Sequence, residues 1–474
     1  MPPVRDTLID LNQLRRNLAD FGQDHVLRHA EQLPPLMQQR LLSELQSIDL
    51  GRLRHLWKTA GRATPAVNAT AAPLKNLVPR AQSPADRLRG ERARHAGEEW
   101  LQQGKVAALL VAGGEGSRLG FNHPKGAFPI GPVSGRSLYQ ILAERVAALC
   151  RRLGVTIPYL VMTSDATDLE TRDLFERHNY FGLEPARVRF LRQGTMPAVD
   201  RETGKMLMAG PGALALSPDG HGGVIDALTH SGSIDFLRQL GVEHLYYHQV
   251  DNPLARVCDP EFLGLHREFE SEASTKVVSK LHATEKMGAL VEINGQIQIV
   301  EYSDLTPSEA AQPGPHGGLL YGLGNTAMHV FSLELIERLS ESGGRLPFHC
   351  SHKVVPHLDE SGRLVQPSTP NAIKFERFVF DILPVARNAL VVETDRAEEF
   401  CPLKNQSGDF SPEHVRAAMV DLHRRWLEQS GTRVAPGVRV EISPLRALDP
   451  ADLANDPHRP EVLDTDTFLG PEGP

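Results

Sequence analysis

Residues 109–126 read LLVAGGEGSRLGFNHPKG, and the rest of the chain is arranged around them. The apolar run Val106–Ala112, all Val, Ala and Leu, is how a strand buried on both faces of a parallel sheet reads. Side chains then vanish at Gly113, Gly114 and Gly116. Without a Cβ the backbone turns tightly and brings its N–H groups close to a ligand. Successive N–H groups in such a loop form a concavity for anions. Arg118 and Lys125 follow. The first offers a planar fork to phosphate oxygens and the second a mobile point charge. Pro124 stiffens the approach to Lys125. A surface turn with solvated charges would need neither the strand nor both cations.

Two familiar phosphate loops are excluded. No Gly-Lys-Ser/Thr ends the run, so it is not a P-loop. The register Gly114-x-Gly116-x-x-Leu119 lacks the third glycine of a dinucleotide fingerprint, and no acidic residue ends a second strand about 20 residues later. Two cations suit a triphosphate better than a dinucleotide.

The segment resembles the signature of nucleotide-sugar pyrophosphorylases, L-x-x-G-G-x-G-T-R-L-G…P-K, with Ser117 in place of the usual Thr. It is most similar to the UDP-N-acetylhexosamine pyrophosphorylase branch. The resemblance implies a Rossmann-like α/β nucleotidyltransferase domain with a mixed, mainly parallel sheet. In it Val111, Ala112, Gly113, Gly114 and Lys125 would bind the nucleotide, and Arg118 and Lys125 would act on its phosphates.

Composition agrees with an enzyme of small polyanions. At 474 residues the chain exceeds one ordinary core. The net charge of −8 argues against nucleic acid, and no apolar run suggests a secretory leader or a membrane span. Cys150, Cys258, Cys350 and Cys401 stand far apart, which suits a reducing cytoplasm better than disulfides or zinc. We expect an N-terminal helical region over 1–95, a catalytic domain over 96–400 and a small C-terminal domain over 401–474. Leu8, Leu11, Leu14 and Leu18, then Leu36, Leu41, Leu42 and Leu45, recur at helical spacing. Residues 59–85 read as a linker, and the Pro- and Asp-rich tail from Leu448 as mobile.

Beyond the loop, helices over 137–153 and 167–178 alternate with strands over 158–162 and 187–191, the pattern of a parallel sheet. Ligands of such sheets sit at the carboxyl ends of the strands. Asp251, at the end of the strand 245–250, is a natural Mg²⁺ ligand there. A hairpin is expected around Asn294-Gly295.

Further family elements recur in order up to Asn405. Gln193 in QGTMPA resembles the glutamine that reads uracil; its amide offers one donor and one acceptor. SPDGHGG resembles the loop in which Gly220 backs the base and His221 meets the sugar. The N-acetylhexosamine branch usually has Asn at this position, whereas UDP-glucose and broad-specificity relatives have His, so both sugar classes stay open. VDN places Asp251 at the metal and phosphates. Glu301-Tyr302 and Asn325 resemble sugar contacts. Lys353, and Lys404 in PLKN, resemble lysines that reach the phosphates.

The resemblance implies a Mg²⁺-dependent uridylyltransferase that makes a UDP-sugar and pyrophosphate from UTP and a sugar 1-phosphate, N-acetylglucosamine 1-phosphate first among candidates. Its partners would be these small molecules, not nucleic acid or membrane. A Rossmann dehydrogenase or epimerase would want a full G-x-G-x-x-G and a Tyr-x-x-x-Lys pair. A non-catalytic binding protein on the same fold would be expected to have lost Lys125, Asp251 or Lys404, and all three are present.

Overall fold

The computed structural model describes residues 11–60, 71–314, 317–341 and 346–471. Leu8 and residues 61–70 of the expected linker therefore lie outside the described residues; the rest of that stretch is not a plain linker, since Ala71–Ala72 and Leu77–Val78 are strands and a helix starts at Pro84. The chain forms two compact units. One gathers the described residues of Met1–Ala66 with Gly194–Gly223 and Leu346–Val379; the other holds Val67–Gln193, Val224–Arg345 and Phe380–Pro474.

The larger unit is built on a sheet whose central strand is Val106–Val111. Its six residues carry no polar side chain, and five are buried. From one edge the strands run Leu77–Val78, Ala389–Glu393, Ala273–Ser279, Leu323–Ser332, His244–Gln249, Val106–Val111, Tyr159–Thr163 and Val188–Arg192. Leu323–Ser332 is antiparallel to both neighbours, and the other pairings along this path are parallel. The sheet is thus mixed and mainly parallel, as expected. Ala289–Ile293 and Gln296–Val300 form the expected hairpin, with Asn294 and Gly295 at φ 53° and 79°. Both central residues at positive φ is what a tight turn between twisted strands requires.

Helices cover the sheet for local reasons. Leu138–Leu153 starts where the Ser137 side chain accepts the Gln140 N–H, and stops at Gly154 in the left-handed conformation. Pro84–Gln102 starts with a capping box between Ser83 and Asp86. It crosses Pro260–Glu268 at glycines: a Cβ on Gly97 or Gly264 would lie 1.9 or 1.7 Å from a carbonyl oxygen of the facing helix. Among the described residues no helix is long and apolar enough to cross a membrane.

The C-terminal stretch is ordered, contrary to the mobile tail expected from Leu448. Pro450–Ala454 is helical, Val462–Leu463 pairs with Arg433–Val434, and Thr467–Leu469 pairs with Val440–Ile442. The charged composition masked a sparse apolar set, Leu453, Leu463 and Leu469, all buried in the main core.

In the smaller unit, helices Leu11–Asp20, Pro35–Ser47 and Leu50–Thr59 bury Leu14, Leu18, Leu41, Leu42 and Leu45 as their spacing implied. Leu36 instead lies exposed. The same core takes Val199, Met206, Leu214, Ile373 and Phe375 from the other two segments. Phe348–Lys353, Ala372–Arg377 and Val199–Asp200 make a three-stranded antiparallel sheet beside it.

Candidate active site

In the larger unit the glycine loop leaves the carboxyl end of Val106–Val111 and closes on itself. The Gly116 N–H reaches the His123 carbonyl at 2.9 Å, and the Lys125 N–H reaches that of Gly114 at 3.0 Å. Gly126 lies flat on Tyr139, whose ring a Cβ there would meet at 2.2 Å. Gly113 faces Gln193: its Cβ would stand 2.9 Å from the Gln193 Oε1. The loop and the predicted base-reading amide are therefore side by side, and only glycine leaves room between them.

The Lys125 ammonium stands 3.7 Å from the Asp251 carboxylate. Burial pushes the Lys125 pKa down; Asp251 opposes this, and Lys404 and Arg118 add to it. Arg118, Lys125, Lys404 and Asp251 thus share one electrostatic neighbourhood. The Asp251 carbonyl accepts the Leu403 N–H at 2.7 Å, which brings the PLKN segment and Lys404 to the strand end. Asn252 secures the junction: its Nδ2 donates to the Glu399 carbonyl at 2.7 Å and its Oδ1 accepts the Cys401 N–H at 3.1 Å. Val111 and Ala112 lie at the strand end beneath the loop.

Two of the expected sugar residues meet around Gly288. Its carbonyl accepts the Asn325 N–H at 2.9 Å, and a Cβ on it would lie 2.9 Å from the Glu301 Oε1. The Asn325 Oδ1 accepts the Ala327 N–H. Tyr302 is 46% exposed and lines a cavity of ≈ 190 Å³ with Lys280, Leu305 and Pro307.

Gly220, His221 and Lys353 belong to the smaller unit. Gly220 sits at φ 85°, and its Cβ would lie 2.3 Å from the Arg377 carbonyl oxygen. The His221 Nδ1 accepts the Val379 N–H at 3.1 Å, and its ring stacks on Phe378. This bond requires an unprotonated Nδ1, so in the neutral ring Nε2 carries the hydrogen as a donor. Lys353 ends the strand Phe348–Lys353 and is exposed.

Sequence reading missed the buried ion pair of Asp219 with Arg377, which fastens the Gly220–Gly223 loop to its neighbouring strand. A lone acid inside a glycine-rich loop was the available signal. It also missed Lys276, held between Asp259 and Glu399 in the larger unit. A lysine as the one charge in the strand ASTKVVS was the clue there.

A cation-rich glycine loop at the carboxyl end of a mainly parallel sheet, faced by a carboxylate, defines a nucleotidyltransferase. The chain belongs to the family described as UTP–glucose-1-phosphate uridylyltransferase, whose model matches residues 64–443. It is 38% identical over 442 residues to mouse UDP-N-acetylhexosamine pyrophosphorylase-like protein 1, covering 89% of this chain and 86% of that one. It is 37% identical over 356 residues to the UDP-N-acetylglucosamine pyrophosphorylase of Saccharomyces cerevisiae, covering 73% and 75%. Among solved structures, the uridine diphosphate N-acetylglucosamine pyrophosphorylase of Trypanosoma brucei superposes with a TM-score of 0.82 at 25% identity, over 97% of this chain and 98% of that one.

Proposed function

We propose that the chain transfers the uridylyl group of UTP to N-acetylglucosamine 1-phosphate, giving UDP-N-acetylglucosamine and pyrophosphate. The observation that carries this reading is the clustering of Lys125, Arg118 and Lys404 with Asp251 beside the glycine loop. The names of the yeast and Trypanosoma brucei relatives support the sugar.

An oxygen of the sugar phosphate attacks the α-phosphorus, forming one P–O bond as the bond to the β-phosphate oxygen breaks and pyrophosphate leaves. The phosphate is already a competent nucleophile, so no side chain need supply one. The protein's task is to hold two polyanions together and stabilise the charge that moves onto the leaving group. In the larger unit Lys125, Arg118 and Lys404 do this, Gln193 would pair with the uracil edge across Gly113, and Glu301, Tyr302 and Asn325 would meet the sugar. In the smaller unit the family resemblance assigns a phosphate contact to Lys353, the base to Gly220 and the sugar to His221.

Asp251 suits Mg²⁺. Among the described residues no three acidic, His or Cys groups cluster as a closed metal cage, and Mg²⁺ characteristically takes one or two carboxylates, waters and substrate phosphates. Bound there, Mg²⁺ would neutralise phosphate charge. Four free cysteines accord with a reducing cytoplasm.

His221 supports a second reading, glucose 1-phosphate, because its ring presents a donor at a different reach from an asparagine amide. Pyrophosphate release from UTP, ATP, GTP and CTP, with each sugar 1-phosphate, tests both. UTP with N-acetylglucosamine 1-phosphate should give the highest kcat/KM, and His221→Asn should shift the sugar ratio. Equal rates with ATP remove the uracil assignment. A tenfold preference for glucose 1-phosphate that His221→Asn leaves intact removes the sugar assignment and the role of His221.

A further inference from the structure

A cavity of ≈ 60 Å³ in the larger unit shares none of the residues assigned above. Arg94, Arg145, Arg152 and Arg256 wall it together with Asp259, Glu261 and Asp449. The charges are unevenly paired. Asp449 is shared by Arg94 at 2.7 Å and Arg152 at 3.5 Å. Asp259 is taken by Lys276 at 2.6 Å. Glu261 is pushed toward its neutral form by burial and by Asp259.

That leaves Arg145 without a carboxylate partner among the described residues and Arg256 with an unpartnered Nε, although, against burial, Glu399, Asp259, Glu398 and Asp449 hold the Arg256 pKa up. Arg145 is 6% exposed, and among the described residues no carboxylate lies within ion-pair distance of it. One Nη donates to the Pro253 carbonyl at 3.1 Å, and its Nε is buried with no partner. Arg256 reaches Glu398 at 3.3 Å with one Nη, and its Nε is likewise buried and unpartnered. Burial first, then Arg256, pushes the Arg145 pKa down to about 10, while Glu399 opposes them. A buried charge is costly unless it is paired and hydrogen-bonded. Water would satisfy the N–H groups but leave the Arg145 charge standing.

We propose that this cavity binds a small inorganic oxyanion of the phosphate class, held by the Nε groups of Arg145 and Arg256. The volume is several times that of one water site, about 10–15 Å³ on this measure, so a tetrahedral anion fits. Guanidinium forks suit its oxygens. The Arg145–Pro253 bond ties the cavity to the turn Asp251-Asn252-Pro253, so occupancy braces the strand end that carries Asp251.

Crystals of the full chain soaked in sodium selenate should show an anomalous peak within hydrogen-bond reach of both Nε atoms. Selenate only beside Lys125 and Lys404, or water alone in the cavity, overturns the proposal. In solution, exchange of chloride for sulfate at constant ionic strength should raise the unfolding midpoint of both wild type and Lys125→Ala. The increment should shrink to the nonspecific salt effect in Arg145→Met or Arg256→Met. Equal increments in wild type and a folded variant of either arginine also overturn it. If neither variant folds, the soak of the wild-type crystals still decides.

Discussion

Lys125 carries a charge that its surroundings disfavour. Burial, Lys404 and Arg118 all work against its ammonium, and Asp251 works in its favour. The site is therefore assembled at a cost that an incoming polyphosphate relieves, which is how preorganised electrostatics act. We predict that Lys125→Ala lowers kcat/KM by about 10²–10³, the effect typical of removing one charge-stabilising donor. The unfolding midpoint should fall little or rise, since the side chain removed is an unfavourably buried cation. Pyrophosphate release and thermal unfolding measure both, and near-wild-type turnover would contradict the assigned role. Lys125 and Asp251 were legible because glycine spacing and a strand end mark their places along the chain. Arg145 was not: in LAERVAALC it reads as an ordinary polar position on an amphipathic helix, yet it lies buried.

Elements are joined by polar contacts as much as by apolar faces. Lys276, 2% exposed, links the strand Ala273–Ser279 to Asp259 at the start of Pro260–Glu268 and to Glu399 before the PLKN segment. The Glu399 carbonyl in turn receives Asn252, next to Asp251. Removing one partner of a buried ion pair typically costs about 3–5 kcal/mol, because the other charge is left uncompensated. Lys276→Met leaves two carboxylates in that position. We predict a loss of that size in urea unfolding, with a smaller loss in the triple variant Lys276→Met, Asp259→Asn, Glu399→Gln. A single variant within 1 kcal/mol of wild type, on the scale of ordinary surface substitutions, would show that the network is not structural. The strands and helices themselves were legible from hydrophobic period and from their alternation along the chain. Their cross-links were not, because Lys276 and Glu399 are 123 residues apart and nothing in either local pattern names the other.

Among the described residues, burial keeps His244, His248, His266 and His423 uncharged, His266 well below the usual imidazole value. Burial holds His244 down to about 4 and His248 and His423 to about 3. Their unfolded value is about 6.5. Between the two values the unfolded chain binds the protons and the folded chain does not, so their contribution is fully present above pH 6.5 and is lost as pH falls. Each histidine removes about 1.4 kcal/mol per pH unit within that window. We predict that stability in urea falls steeply from pH 7 to pH 5, and that His248→Leu flattens the slope by one proton. A flat profile over that range would contradict the burial of these rings.

The smaller unit draws on three stretches of chain, and its common core mixes Leu14, Leu18 and Leu41 with Val199, Met206, Ile373 and Phe375. During synthesis, then, the first helices leave the ribosome long before the strand that completes their core has been translated. Their apolar stripes must wait, exposed or in the care of a chaperone, while the glycine loop and several strands of the central sheet emerge. Loop Gly220–Gly223 waits with them, because Arg377, against which it closes, arrives among the last residues of that unit. A ribosome stalled before residue 346 would hold a chain with every residue of the glycine loop and Asp251, but with its earliest helices still lacking Ile373 and Phe375, which complete their core.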